Sequence, residues 1–147
     1  MLAFSLMVLW AASCKEINVY EKQVDLPQHE WHKSQNAVML FDTEDSVEHQ
    51  LYFVVRHTGQ FPYNKLLVKL MIQDTARKTL TSMNIAAPLT DSKGNWNGTL
   101  MDDIYYSRIK IMPPVFLKPG LYRFVLQQQM KEDILPYLLN VGIALDR

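Results

Sequence analysis

The residues able to do chemistry in this chain are few and scattered. Its one cysteine, Cys14, stands in "MVLWAASCK". A lone cysteine excludes an internal disulfide and any zinc site built on several thiolates. It leaves a buried thiol, a catalytic nucleophile, an intermolecular bridge or a modified residue. His29 and His32 in "HEWH" have the spacing of a two-histidine metal clasp on a helix. Their surroundings lack helical periodicity, so they read as two exposed histidines, and His49 and His57 join no cluster. The carboxylates of "DTED" (42–45) and "MDD" (101–103) could do paired acid–base work or take calcium. Neither has EF-hand spacing, and both read as solvated turns. There is no G-x-S-x-G elbow. "GNWNG" (94–98) lacks the lysine and following helix that a phosphate loop needs. No catalytic residue, metal ligand or cofactor is therefore expected. The loop aromatics are more informative: Trp31 in "EWHK", Phe61 and Tyr63 around Pro62, and Trp96 between turn formers. Each either covers an end of the core or anchors a partner, as Trp and Tyr do at interface hot spots. Stacking on sugar rings is a third use for Trp31, Tyr63 and Trp96.

The setting of Cys14 favours modification. Residues 1–13 carry no charge, and Met1 to Trp10 is apolar except for Ser5. The run is too short to span a bilayer, which takes about 20 residues. It fits the apolar region of a secretory signal, followed by the small residues of a cleavage site. "AASC" then resembles a bacterial lipobox, departing from it at Trp10, with Cys14 as the thiolate that accepts diacylglycerol. The expected organisation is a lipoprotein signal over 1–13, a lipid-anchored tether and lead-in segment over 14–35, and a folded domain over 36–147. Two or three acyl chains hold far more firmly than one, since each buried methylene contributes about 0.8 kcal/mol.

The rest of the chain must supply the scaffold. At 147 residues, 48% hydrophobic and 20% charged, it has the composition of one globular domain. Its zero formal net charge argues against nucleic acid or acidic lipid as the main source of affinity. Period-two alternation predicts strands over 37–41, 51–57, 65–74, 77–86, 107–113, 121–130 and 138–146. Leu51, Phe53 and Val55 share one face, as do Leu66, Val68, Leu70 and Ile72, and Val141, Ile143 and Leu145. Turn formers separate these runs. About seven to eight strands at this spacing predict an all-β antiparallel sandwich, jelly-roll or Ig-like. A short helical turn is expected around Lys131 to Leu138.

"WHK", "QLYFVVRHTGQFPYNKLLVKL", "DSKGNWNGTLMDD" and "LKPGLYRFVLQQQM", in this order, resemble GldH, the gliding-motility lipoprotein family of Bacteroidetes. The most specific parts are Arg56 to Leu66, the Gly94-x-Trp96-x-Gly98 turn and Pro119-Gly120-x-Tyr122. The resemblance implies a non-enzymatic envelope lipoprotein acting in gliding motility with other Gld lipoproteins and the type IX secretion machinery. Cys14 carries over as the lipid site. Arg56, Tyr63 and Trp96 match the family pattern without an assigned role. The resemblance leads us to expect a lipid anchor in the outer membrane. "KEI" after Cys14 is not an acidic export run, which favours the periplasmic face. The competing expectation is a glycan-binding surface module.

Overall fold

The computed structural model describes residues 19–146. The expected signal and Cys14 lie outside the described residues. The strands are β1 (Val19–Asp25), β2 (Glu30–His32), β3 (Ala37–Thr43), β4 (Val47–Thr58), β5 (Lys65–Gln73), β6 (Thr79–Pro88), β7 (Thr99–Met101), β8 (Ile104–Leu117), β9 (Gly120–Gln128), β10 (Ile134–Pro136) and β11 (Leu138–Asp146). One sheet has the order β1-β11-β4-β8-β7 and the other β3-β9-β5-β6, all antiparallel; β10 and β2 form a separate ribbon. Leaving out the short β7, the sheets are β1-β11-β4-β8 and β3-β9-β5-β6, the connectivity of a jelly roll. The fold is thus an all-β antiparallel sandwich, and the strand order decides for jelly roll over Ig-like.

Seven of the eight strands of seven residues or more lie where alternation predicts them, β1 being the exception, and their apolar rows face each other across the sandwich. Leu51, Phe53 and Val55 of β4 and Val141, Ile143 and Leu145 of β11 are buried against Leu66, Val68, Leu70 and Ile72 of β5 and Phe124 and Leu126 of β9. Full burial of each such side chain contributes about 1.5–3 kcal/mol, which makes these rows the main drive for closing the sheets. The outer face of β4 and β11 is also partly closed, since Val54 and Ala144 are buried there. At Gly142 the chain passes so near β1 that a Cβ would lie 2.1 Å from the Lys22 carbonyl oxygen.

Two expectations need correction. The tether and lead-in segment over 14–35 is not separate from the domain where it is described. β1 pairs residue for residue with β11 from Val19↔Asp146 to Asp25↔Asn140, and Trp31 of β2 is in the core. The sequence hides β1 because a lysine occupies one of its inward positions. Lys22 pairs with inward Ile143, and its ammonium bonds the Leu40 carbonyl while resting over the rings of Tyr20 and Phe41. The apolar stem is buried and the charge is met at the rim. The helical turn expected at Lys131 to Leu138 is instead β10, which pairs with β2 and sets Leu135 against Trp31, both fully buried. This ribbon closes the sandwich where the chain crosses from β9 to β11.

Candidate functional site

The sequence candidates divide between the two sides of one sheet. His57 continues the inward row of β4 beyond Val55 and is completely buried. Tyr105 lies opposite it on β8, stacked at 5.6 Å between ring centroids. Trp96 packs on His57 at 4.6 Å and Phe61 at 5.7 Å, with Tyr63 edge-on to Phe61 at 5.5 Å. Five rings thus form one continuous corner of the core. The His57 imidazole bonds the Thr58 carbonyl through Nδ1 at 2.9 Å, and its Nε2 is buried without a hydrogen-bond partner among the described residues. Burial holds its pKa below the ordinary value, and the Thr58 bond opposes that more weakly.

Two loops position this corner. Between β6 and β7, the Asp91 carboxylate accepts the backbone N–H groups of Lys93 at 2.8 Å and Asn95 at 2.9 Å. These bonds, that of Asn95 foremost, lower its pKa. Gly94 supplies the left-handed residue of the turn, with φ 82. The Thr90↔Trp96 bridge then brings the indole over His57. Gly98 has φ 90, and a Cβ there would lie 2.1 Å from the Tyr106 carbonyl oxygen. Only glycine lets the loop approach β8 this closely. On the far side, "TGQFPYN" turns Phe61 inward, and the Phe61 N–H bonds the Thr58 carbonyl.

The alternation that turns His57 inward turns Arg56 outward. Arg56 faces Tyr106 across the β4–β8 ladder. Together with Thr99, Met101 and Ile104 they line a cleft of about 230 Å³. Tyr106 donates its hydroxyl hydrogen to Glu21 at 2.5 Å, bracing β8 to β1 across the sheet. Burial first, and the Glu21 bond second, push the Tyr106 pKa up to about 12. Arg108 lies 4.0 Å over the Tyr52 ring on the same face. Arg56 makes no hydrogen bond or ion pair among the described residues, and Met101 beside it is largely exposed.

The expected roles change accordingly. Trp31 is fully buried and donates its indole N–H to the Gln35 carbonyl at 2.9 Å, and Phe61 is buried too. Both are therefore core residues, because their rings are closed off from solvent. A sugar-stacking surface from Trp31, Tyr63 and Trp96 is not assembled. Tyr63 and Trp96 are half-buried against the core. His29 lies in a 3-10 turn, and His32 at the end of β2 has its ring 3.1 Å from Glu30. Among the described residues no group of three His, Cys, Asp or Glu could hold a metal ion. Asp102 and Asp103 are the two residues of the β7–β8 hairpin turn, with φ 50 and 63, the backbone of a type I′ turn. Sequence reasoning passed over His57, Tyr105 and Tyr106. The signal for His57 was present: it stands two residues beyond Val55 in an inward row.

No curated protein matches the chain. Among solved structures, it is similar to the VP2 subviral particle of infectious bursal disease virus, at 11% identity and a TM-score of 0.42 over 99% of this chain and 37% of that one. The chain thus spans about a third of the length of that protein. It is also similar to a family 35 carbohydrate binding module from Clostridium thermocellum, at 8% identity and a TM-score of 0.37 over 85% of this chain and 90% of that one. Neither likeness is close enough to bear on function. The sequence pattern that defines the GldH lipoprotein family, in contrast, matches residues 18–145. That span runs from just before β1 to the penultimate residue of β11, and the chain belongs to the GldH lipoprotein family.

Proposed function

We propose that this protein is a non-catalytic component of the cell envelope that supports gliding motility, type IX secretion or both through protein–protein contacts. Membership of a lipoprotein family over residues 18–145 carries this reading. The anchor is a lipid on Cys14 in the outer membrane, with the domain on the periplasmic side. Confinement to a surface raises the effective concentration of the domain for partners on the same membrane. Those partners are other Gld lipoproteins or components of the type IX machinery.

The contact is assigned to the outer face of the five-stranded sheet, at the Arg56–Tyr106 cleft. An arginine with no carboxylate partner among the described residues, beside a tyrosine and an exposed methionine, has the composition of an interface hot spot. The half-buried Tyr63 and Trp96 serve the corner that holds this sheet in place. The test is a crosslinked pull-down from native membranes, comparing the natural protein with Cys14→Ala and Arg56→Ala. Recovery of envelope lipoproteins or secretion components, lost with Cys14→Ala and reduced at least about tenfold with Arg56→Ala at equal protein level, supports the reading. Recovery of no envelope protein by the lipid-anchored natural chain overturns it.

A further inference from the structure

A lipid on Cys14 would bring one end of the sandwich to the membrane. Residues 15–18 leave five Cα steps between Cys14 and Val19, at most about 18 Å of chain. The pairs Val19↔Asp146, Asp146↔Gln50 and His49↔Val115 set the start of β1 level with residues 112–115 of β8, just above the β8–β9 turn. The Arg56 cleft lies toward the other end. Arg56 pairs with Asn140 and Asn140 with Asp25, six residues along β1 and about 20 Å from Val19.

The β8–β9 turn is unusually apolar for an exposed one. Residues 111–122, IMPPVFLKPGLY, carry a single charge, Lys118. Phe116 and Leu121 are 57% and 44% exposed. Phe116 lies opposite Glu48 of β4 and Leu121 opposite Asp42 of β3, so they flank the turn from the two sheets. The turn is also braced. The Lys118 carbonyl accepts the hydroxyls of Thr43 at 2.8 Å and Tyr122 at 2.7 Å. Exposed apolar side chains gathered on a held turn mark a contact with protein or membrane. The short tether selects the membrane, because it keeps this end near the bilayer surface. Leu100 and Met101, also exposed, lie on β7, which pairs with the beginning of β8 at the far end.

We propose that Phe116 and Leu121 enter the headgroup layer of the bilayer that holds Cys14, while Lys118 between them keeps its ammonium in water. The contact is apolar rather than electrostatic. Asp42, Glu44 and Glu48 border the turn, and a strongly anionic surface would repel them. Two side chains hold weakly by themselves; the acyl chains do the holding and the turn sets the orientation. The sandwich then stands on its β8–β9 end, with the Arg56 cleft lifted clear of the headgroups. This inference rests on the lipid anchor of the proposed function and not on the Arg56 contact.

The test uses the natural lipidated protein in liposomes of zwitterionic lipid, with no other protein present. Cys14 is the one cysteine and carries the lipid, so an added cysteine is the single free thiol. Lys118→Cys and, at the far end, Leu100→Cys each take a polarity-sensitive dye. The dye at position 118 is expected to shift to the blue and to be quenched by lipids bearing nitroxide groups near the headgroup. The dye at position 100 is expected to do neither. Phe116→Ser with Leu121→Ser, both at exposed positions, is expected to abolish the quenching at 118 while the protein still floats with the liposomes. A floating protein whose position 118 stays in water, or is quenched no more than position 100, overturns this inference alone. Quenching that survives the two serines overturns it as well. So does a turn shielded in native membranes but not in liposomes, which would assign it to a protein partner. A natural chain that does not float removes the lipid anchor, and this inference with it.

Discussion

His57 shows how a single side chain can be costly and retained. It fills an inward position among Trp96, Tyr105 and Phe61, where its Nε2 has no partner among the described residues. The fold therefore favours the neutral ring over the charged one. A base whose pKa is lowered by folding contributes its stability in full above its ordinary value of 6.5. That contribution is lost as the pH falls from there toward the folded value, because unfolding then takes up a proton. The domain should be less stable at pH 5 than at pH 7.5, and His57→Phe should flatten that slope in denaturant titrations. An unchanged slope would assign the pH dependence to other groups. Gly98 is the second residue with a sharp expectation. Alanine there combines a positive φ with a Cβ 2.1 Å from backbone, so Gly98→Ala should destabilise by about 2–4 kcal/mol. Gly94→Ala meets only the positive φ, with nothing within 4 Å, and should lose about 1 kcal/mol. Melting temperatures of the two variants, side by side, test the difference.

At the scale of elements, the ribbon of β2 and β10 makes Trp31 structural. The ribbon has only three residue pairs, too few to be stable alone, and it holds by burying Trp31 and Leu135 in the core. Trp31→Ala should therefore lower unfolding free energy by about 3–5 kcal/mol. The comparison with Arg56→Ala separates the two kinds of site. Arg56 is half-exposed and has no described bond, so its loss should leave the denaturation midpoint nearly unchanged while reducing partner capture. Equal losses of stability in both variants would remove Arg56 from the contact surface and return it to the scaffold.

At the scale of the molecule, β1 closes the jelly roll at one side. Its seven pairs with β11 and the bond from Tyr106 to Glu21 tie the first described strand to the last strand and to β8. A chain shortened to begin at Leu26 would expose the β11 edge and leave Val141 and Ile143 without cover from Val24 and the Lys22 stem. It should unfold at a markedly lower urea concentration than the full chain. An unchanged midpoint would make residues before Leu26 the tether that their composition suggests. The same arrangement bears on the lipid anchor: if Cys14 holds the membrane, only residues 15–18 separate it from β1.

The sequence by itself determined the sandwich and seven of its eight longer strands, because strict alternation at Leu51–Phe53–Val55 or Leu66–Val68–Leu70–Ile72 can bury a face only as β-structure. It also determined the family, through segments spread along the whole domain. It could not show β1, whose inward lysine breaks the apolar pattern, nor β2, β7 and β10, each too short at three residues to carry a period. Nor could it sort the aromatics. Trp31, Phe61 and Trp96 all stand near turn formers, and a loop residue has no periodicity to say which way it points. Only the tertiary structure decided that the first two are core and that Trp96, Tyr105 and Phe61 gather around His57, whereas alternation along β4 already set Arg56 on the opposite face.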